Sequence, residues 1–119
     1  MNYRTVKVNS YNLIKNLDEN IFDGQYSSDV DLDELKNLLE EFNGKTSCII
    51  MEPTARVHPH EDYLLQVRSL ANKYNTILIF DEIVTGFRFH RGGYQSVCGV
   101  TPDLACFSKA MGNGMPIAF

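Results

Sequence analysis

The chain has 119 residues, of which 44% are hydrophobic and 22% are charged, and its net charge is -4. The hydrophobic fraction indicates a folded globular protein, and the negative charge argues against nucleic acid as a partner. No apolar run is long enough to cross a membrane, and the polar beginning of the chain does not resemble a signal peptide.

The first half of the chain predicts a strand, a loop and a helix. A short strand is expected from Thr5 to Val8, and the polar stretch that runs through Ser28 predicts a loop. Asp31-Leu-Asp-Glu34 resembles a capping box, and its acidic residues suit the positive end of a helix dipole. Leucines follow at helical spacing, and Asn43-Gly44 predicts the end of the helix.

The second half predicts three strands and one further helix. Apolar runs at Ser47–Met51, Thr76–Phe80 and Leu104–Phe107 are typical of strands, and the middle run suits a strand buried on both faces. A helix with one apolar side fits His60–Tyr74. Strands that alternate with amphipathic helices indicate parallel βαβ units, so the predicted fold class is α/β.

Reactive side chains follow three of these strands. Glu52 follows the Ser47–Met51 strand, Asp81 and Glu82 follow the middle strand, and Ser108-Lys109 follows the last. Ligands in parallel α/β sheets bind beyond the carboxyl ends of the strands, although polar residues also gather there for ordinary reasons. A partly desolvated lysine at such an edge is a usable nucleophile towards an aldehyde.

Several linked motifs resemble the class III aminotransferase family. The resemblance runs from about Asp31 to the last residue and is strongest from Ile77 onward. The matching segments are Ile49–Pro53, Ile77–Arg88, Gly92–Gln95, Gly99–Leu104 and Phe107–Pro116, in the order and at about the spacing of the family.

Within the family, the motifs are most similar to the glutamate-1-semialdehyde aminomutase-like branch. Phe87-Arg88 and Gly92–Gln95 carry this similarity. The common transaminase branch has a glutamine where this chain has Val84, and a Gly-Arg-Thr-Gly run where it has Arg88–Arg91. The Thr54–Pro59 stretch also departs from the glycine-containing loop of the family.

The resemblance implies the large, mostly parallel-sheet domain of a fold type I pyridoxal phosphate enzyme. The implied activity is transfer of an amino group, by a transaminase or an aminomutase, through a lysine Schiff base. Lys109 would hold the cofactor and act as the base, and Asp81 would keep the pyridine nitrogen protonated. Ile83, expected on the same side of the strand as Asp81, would pack on the cofactor ring, and Glu52 would lie nearby.

The resemblance also implies partners and a setting. Small amino or keto compounds are the expected substrates, and the parent protein is expected to be a homodimer. Cys48, Cys98 and Cys106 show no CxxC spacing, which suits a reducing, cytoplasmic compartment. The three histidines lack ligands at metal spacing, so no metal site is expected.

We expect residues 1–119 to be a central fragment of the cofactor-binding domain. The family's phosphate-binding loop, which lies upstream, and its small C-terminal domain have no match in the chain. The chain alone is therefore expected to be inactive, and an inactive remnant of such an enzyme is one alternative. A second is an NTPase fragment, because a strand ending in Asp81-Glu82 resembles a Walker B element, although no GxxxxGK[ST] loop is present.

Overall fold

A computed structural model describes residues 4–7, 28–54, 58–60 and 62–119, with side chains described from residue 32 onward. The described part of the chain forms four strands, three α-helices and one 3₁₀ turn. In chain order these are β1 (Arg4–Lys7), α1 (Ser28–Glu41), β2 (Thr46–Met51), α2 (Tyr63–Lys73), β3 (Ile77–Asp81), α3 (Gln95–Cys98), β4 (Leu104–Cys106) and the 3₁₀ turn Lys109–Gly112.

The four strands form one sheet in the order β1-β2-β3-β4, and every neighbouring pair is parallel. The predicted α/β class is therefore confirmed. Because parallel crossovers are right-handed, strands that follow one another in sequence order receive their connecting helices on a single face of the sheet. In the register of the sheet, Met51 lies opposite Phe80, and Asp81 lies opposite Cys106.

The core lies between this face of the sheet and the helices α1 and α2. Alternate residues of β2 and β3 pack against one apolar side of each helix, as side chains with a period of two require. The buried cluster includes Ile49, Met51, Leu78 and Phe80 from the strands, and Leu35, Leu39, Val67 and Ala71 from the helices. The apolar side predicted for each helix is the side that is buried.

The other face of β3 corrects the expectation of a strand buried on both sides. Ile77 is 46% exposed and Ile79 is only half-buried, although both are as apolar as their buried neighbours. Leu104 on β4 is 56% exposed. An apolar run indicates that both faces of a strand are suited to burial, but it does not show that other residues pack on both faces.

Several predicted boundaries move by a few residues. Helix α1 begins at Ser28 rather than Asp31, because Ser28–Val30 contains no glycine or proline that would prevent a helical backbone. Asp31, the first residue of the expected capping box, therefore lies inside the helix rather than before it, and its side chain is outside the described residues. Val8 and the predicted loop up to residue 27 also lie outside the described residues. Helix α2 begins at Tyr63, and β3 continues to Asp81.

The short helix α3 and the 3₁₀ turn were not predicted, because four residues are too few to show a periodic pattern. None of the helices in the described residues is both long enough and apolar enough to span a membrane.

Candidate active site

Three of the predicted site residues lie at one edge of the sheet. Asp81 is the last residue of β3, and Glu52 follows the end of β2 at the same level, one residue beyond the Met51–Phe80 pair. Lys109 lies three residues beyond Cys106, the β4 residue that pairs with Asp81. Parallel strands that end side by side therefore bring two carboxylates and an amine to the same edge.

The Asp81 side chain is half-buried and held by the backbone that follows it. Its Oδ1 accepts a hydrogen bond from the Ile83 N–H at 3.1 Å. The strand ends at Asp81, so Ile83 lies in the following turn and not on the strand as predicted. The alternation of strand side chains therefore does not determine the direction of Ile83, although its backbone contacts Asp81 directly.

Lys109 is exposed and lies at the start of the 3₁₀ turn with a left-handed backbone, φ 44°. Hydrogen bonds close the loop behind it. Phe107 and Phe119 exchange two backbone hydrogen bonds of 2.9 Å, which is the pattern of an antiparallel pair. The Ser108 hydroxyl donates to the Ile117 carbonyl at 2.9 Å. The amine is thus carried by a short loop whose two ends are paired.

Glu82 points away from this edge into the protein and has no exposed surface. Its carboxylate accepts hydrogen bonds from the Tyr94 N–H at 2.5 Å, the Gln95 N–H at 3.2 Å and the Thr85 hydroxyl at 3.1 Å. The Gln95 side-chain amide donates a fourth at 3.5 Å. A Cβ on Gly93 would lie 2.4 Å from the Glu82 Oε1, so a glycine is required there. The sequence shows the Asp81-Glu82 pair and the glycines at 92 and 93, but it did not predict that Glu82 contacts the segment that follows these glycines.

Aromatic side chains connect the segment after β2 to the segment after β3. Tyr94 is buried, its hydroxyl lies 2.9 Å from the His58 Nδ1, and the two rings are stacked at 5.7 Å. Phe89 meets both rings edge-on. Burial raises the pKa of Tyr94, a hydrogen bond with the Thr54 side chain lowers it, and the nearby Cys98 raises it. This contact was not predicted, since His58 was interpreted only as a loop residue.

The donor set at the edge fits pyridoxal phosphate. The Lys109 amine reaches solvent, as attachment to the cofactor aldehyde requires. Asp81 uses one carboxylate oxygen for Ile83, and its second oxygen has no hydrogen bond to the described residues, so it remains able to meet a protonated ring nitrogen. The described residues contain no group of three or more histidine, cysteine, aspartate or glutamate side chains that could hold a metal ion.

Comparison with known proteins identifies the family. The model of the family described as aminotransferase class-III matches residues 4–119. Glutamate-1-semialdehyde 2,1-aminomutase of Syntrophobacter fumaroxidans is 44% identical over 91 residues, which are 73% of this chain and 21% of the relative. The enzyme of the same name from Thermosipho melanesiensis is 42% identical, over 73% of this chain and 22% of the relative. The chain thus spans about a fifth of the length of these curated relatives.

A solved structure agrees with the sequence comparison. An omega-transaminase from Sphaerobacter thermophilus superimposes with a TM-score of 0.68 at 33% identity, over 74% of this chain and 21% of that protein. These matches give no support to the NTPase alternative or to the alternative of an inactive remnant. The motifs, the parallel sheet and the comparisons agree, and the chain belongs to the class III aminotransferase family.

Proposed function

We propose that the protein containing this chain transfers amino groups with pyridoxal phosphate as its cofactor, and that Lys109 is the lysine to which the cofactor attaches. One observation carries the proposal. Asp81 is the last residue of β3, and Lys109 follows the adjacent parallel strand β4, in a chain of the class III aminotransferase family. When bound, pyridoxal phosphate draws electrons from the substrate carbon that bears the amino group.

Each residue at the edge has a proposed task. The Lys109 amine binds the cofactor and then moves a proton to or from the substrate carbon. The Asp81 carboxylate oxygen that does not bond Ile83 holds a proton on the ring nitrogen, because an anion beside a cation favours the charged form of both. Ile83 packs on the flat face of the ring, and Glu52 lies beside it at the end of β2.

We propose chemistry of the aminomutase-like kind on a small amino or keto compound. The support is the similarity to proteins named glutamate-1-semialdehyde 2,1-aminomutase, together with the Phe87-Arg88 and Gly92–Gln95 motifs.

We further propose a cytoplasmic homodimer. The cytoplasmic setting is consistent with the three free cysteines of the described residues. The family's phosphate-binding loop and small domain would come from sequence beyond these 119 residues.

Covalent trapping of the cofactor tests the role of Lys109. The protein at its natural length is incubated with pyridoxal phosphate, reduced with borohydride, digested and mapped by mass spectrometry. We expect the reduced cofactor on the peptide that contains Lys109. In Lys109→Arg the label is lost, because the guanidinium is not a nucleophile at neutral pH.

The matched control is Lys36→Arg, which changes an exposed lysine on α1 and should leave the label in place. A label on a different peptide would contradict the assignment of Lys109. A natural-length protein that takes up no label at all would favour the inactive remnant.

A further inference from the structure

Glu82 lies between Asp81 and Ile83, yet its carboxylate is completely buried. Removing an ionised carboxylate from water costs several kcal/mol unless hydrogen bonds replace the lost solvent. Glu82 has these replacements, since both of its oxygens accept two hydrogen bonds each. A charge buried with a complete set of donors is a rigid connection between the elements that supply the donors.

Two of the donors belong to the beginning of α3. The Tyr94 and Gln95 N–H groups lie at the end of the helix where no earlier turn offers an acceptor. Tyr94 is the N-cap residue, and its side chain makes no capping hydrogen bond. Glu82 therefore caps α3 from a distant part of the chain, and this holds the 92–95 segment against the end of β3.

The other contacts of Glu82 reach Asp81. The Thr85 hydroxyl donates to the Glu82 carboxylate, and the Gly86 N–H donates to the Glu82 carbonyl at 2.8 Å. Together they close the turn that begins at Ile83, whose N–H donates to the Asp81 Oδ1. The direction of this N–H, and with it the orientation of the Asp81 carboxylate, depends on the closed turn.

We infer that Glu82 is a positioning residue that holds Asp81 in its orientation through the Thr85 contact and the turn at Ile83. The inference rests on the proposed function, because it gives Asp81 the task of holding a proton on the cofactor ring. Glu82 itself touches neither the cofactor nor the substrate in this scheme.

Two substitutions test the inference in the holoprotein at its natural length. Glu82→Gln keeps the size of the side chain but turns an NH₂ group towards donors, so two of the four hydrogen bonds are lost. Thr85→Val removes one donor and leaves the carboxylate with three. Valine has the same shape as the buried Thr85, so we expect Thr85→Val to fold. This second variant keeps the inference testable in the case that Glu82→Gln does not fold.

The first measurement is the pH titration of the absorbance of the lysine-bound cofactor. When the Asp81 carboxylate is no longer held in place, it stabilises the proton on the ring nitrogen less well. Without that positive charge on the ring, the nitrogen that joins Lys109 to the cofactor keeps its own proton to a higher pH. We expect the midpoint to rise by about half a pH unit or more in Glu82→Gln, and by less in Thr85→Val. We also expect kcat to fall about tenfold in Glu82→Gln, which is ~1.4 kcal/mol of barrier, with KM changed less than about twofold.

The matched control is Glu40→Gln, which removes a charge that accepts one hydrogen bond from Tyr74 on the exposed side of α1. Its midpoint and kcat should match those of the unchanged protein. Folded Glu82→Gln and Thr85→Val proteins with unchanged midpoint and kcat, and only a lower Tm, would overturn the inference. The borohydride label on the unchanged protein reports on the proposed function separately, because it depends on Lys109 and not on the pH midpoint.

Discussion

At the scale of single residues, the backbone of Lys109 is strained. A residue with a side chain in the left-handed region costs roughly 1–2 kcal/mol relative to the ordinary helical region. Lys109 has φ 44°, and the paired ends of its loop at Phe107 and Phe119 hold it there. Strain of this kind persists where the surroundings determine the conformation, and it is common at functional sites.

This strain predicts that two amine-free variants differ in stability. The free energy of unfolding of Lys109→Gly should exceed that of Lys109→Ala by up to about 1 kcal/mol, because glycine adopts a positive φ without steric cost. Urea unfolding of both variants measures the difference. The control pair is Lys36→Gly and Lys36→Ala on α1, where glycine should be the less stable. Equal or reversed stabilities at position 109 would show that the conformation is not strained.

At the scale of elements, Asp103 joins α2 to β3 just before β4 begins. Its Oδ2 accepts the Leu78 N–H at 2.7 Å and the Arg68 guanidinium at 2.8 Å. These contacts, the Leu78 N–H first and Arg68 second, lower the pKa of Asp103 below its ordinary value. The side chain is 48% exposed, so solvent screens the ion pair and the backbone hydrogen bond matters more.

A lowered pKa in the folded state means that Asp103 contributes stability above its unfolded pKa of about 3.9. That contribution is lost as the pH falls through the folded value. Asp103→Asn should therefore lower the free energy of unfolding at neutral pH, and its difference from the unchanged protein should narrow below about pH 4. Thermal melts from pH 7 to pH 3 measure this, with Asp33→Asn on the exposed side of α1 as the control. A difference that does not depend on pH would contradict a lowered pKa of Asp103 in the folded state.

At the scale of the whole molecule, the described residues bury one face of the sheet and leave the other face partly exposed. Ile77 and Leu104 expose about half of their surface, and Ile50 and Ile79 are half-buried on the same face. Exposed apolar patches of this kind usually mark surfaces that another part of a protein covers. The 91 matched residues make up 21% of the first relative, which agrees with the proposal that the 119 residues need further sequence.

The isolated 119-residue chain should therefore bind a hydrophobic fluorescent dye and show no aminotransferase turnover. Ile77→Thr should reduce dye binding, because it removes apolar surface from the open face. Leu65→Thr is the matched control, since Leu65 is 53% exposed but lies on α2. Turnover by the purified chain would contradict the expectation that it is inactive.

The sequence by itself determined the α/β class, the order of the four strands and the two longer helices, and the chemical identity of the groups at the strand ends. These depend on local patterns: periodic apolar residues, turn residues, and the acids and lysine that follow apolar runs. The family resemblance, from the motifs between Ile49 and Pro116, also needed only the sequence, and the comparisons confirmed it.

Only the tertiary structure decided which groups meet. The strand register placed Asp81 beside Cys106. Because β3 ends at Asp81, Ile83 does not lie on the strand, contrary to the expectation from the sequence. Glu82 meets Tyr94 and Gln95 across 12 and 13 residues, and no periodic pattern predicts a contact over that separation. The left-handed backbone of Lys109 likewise depends on the pairing of Phe107 with Phe119 rather than on the lysine itself. Sequence patterns report what lies near in the chain, whereas the site is built from contacts that are distant along it.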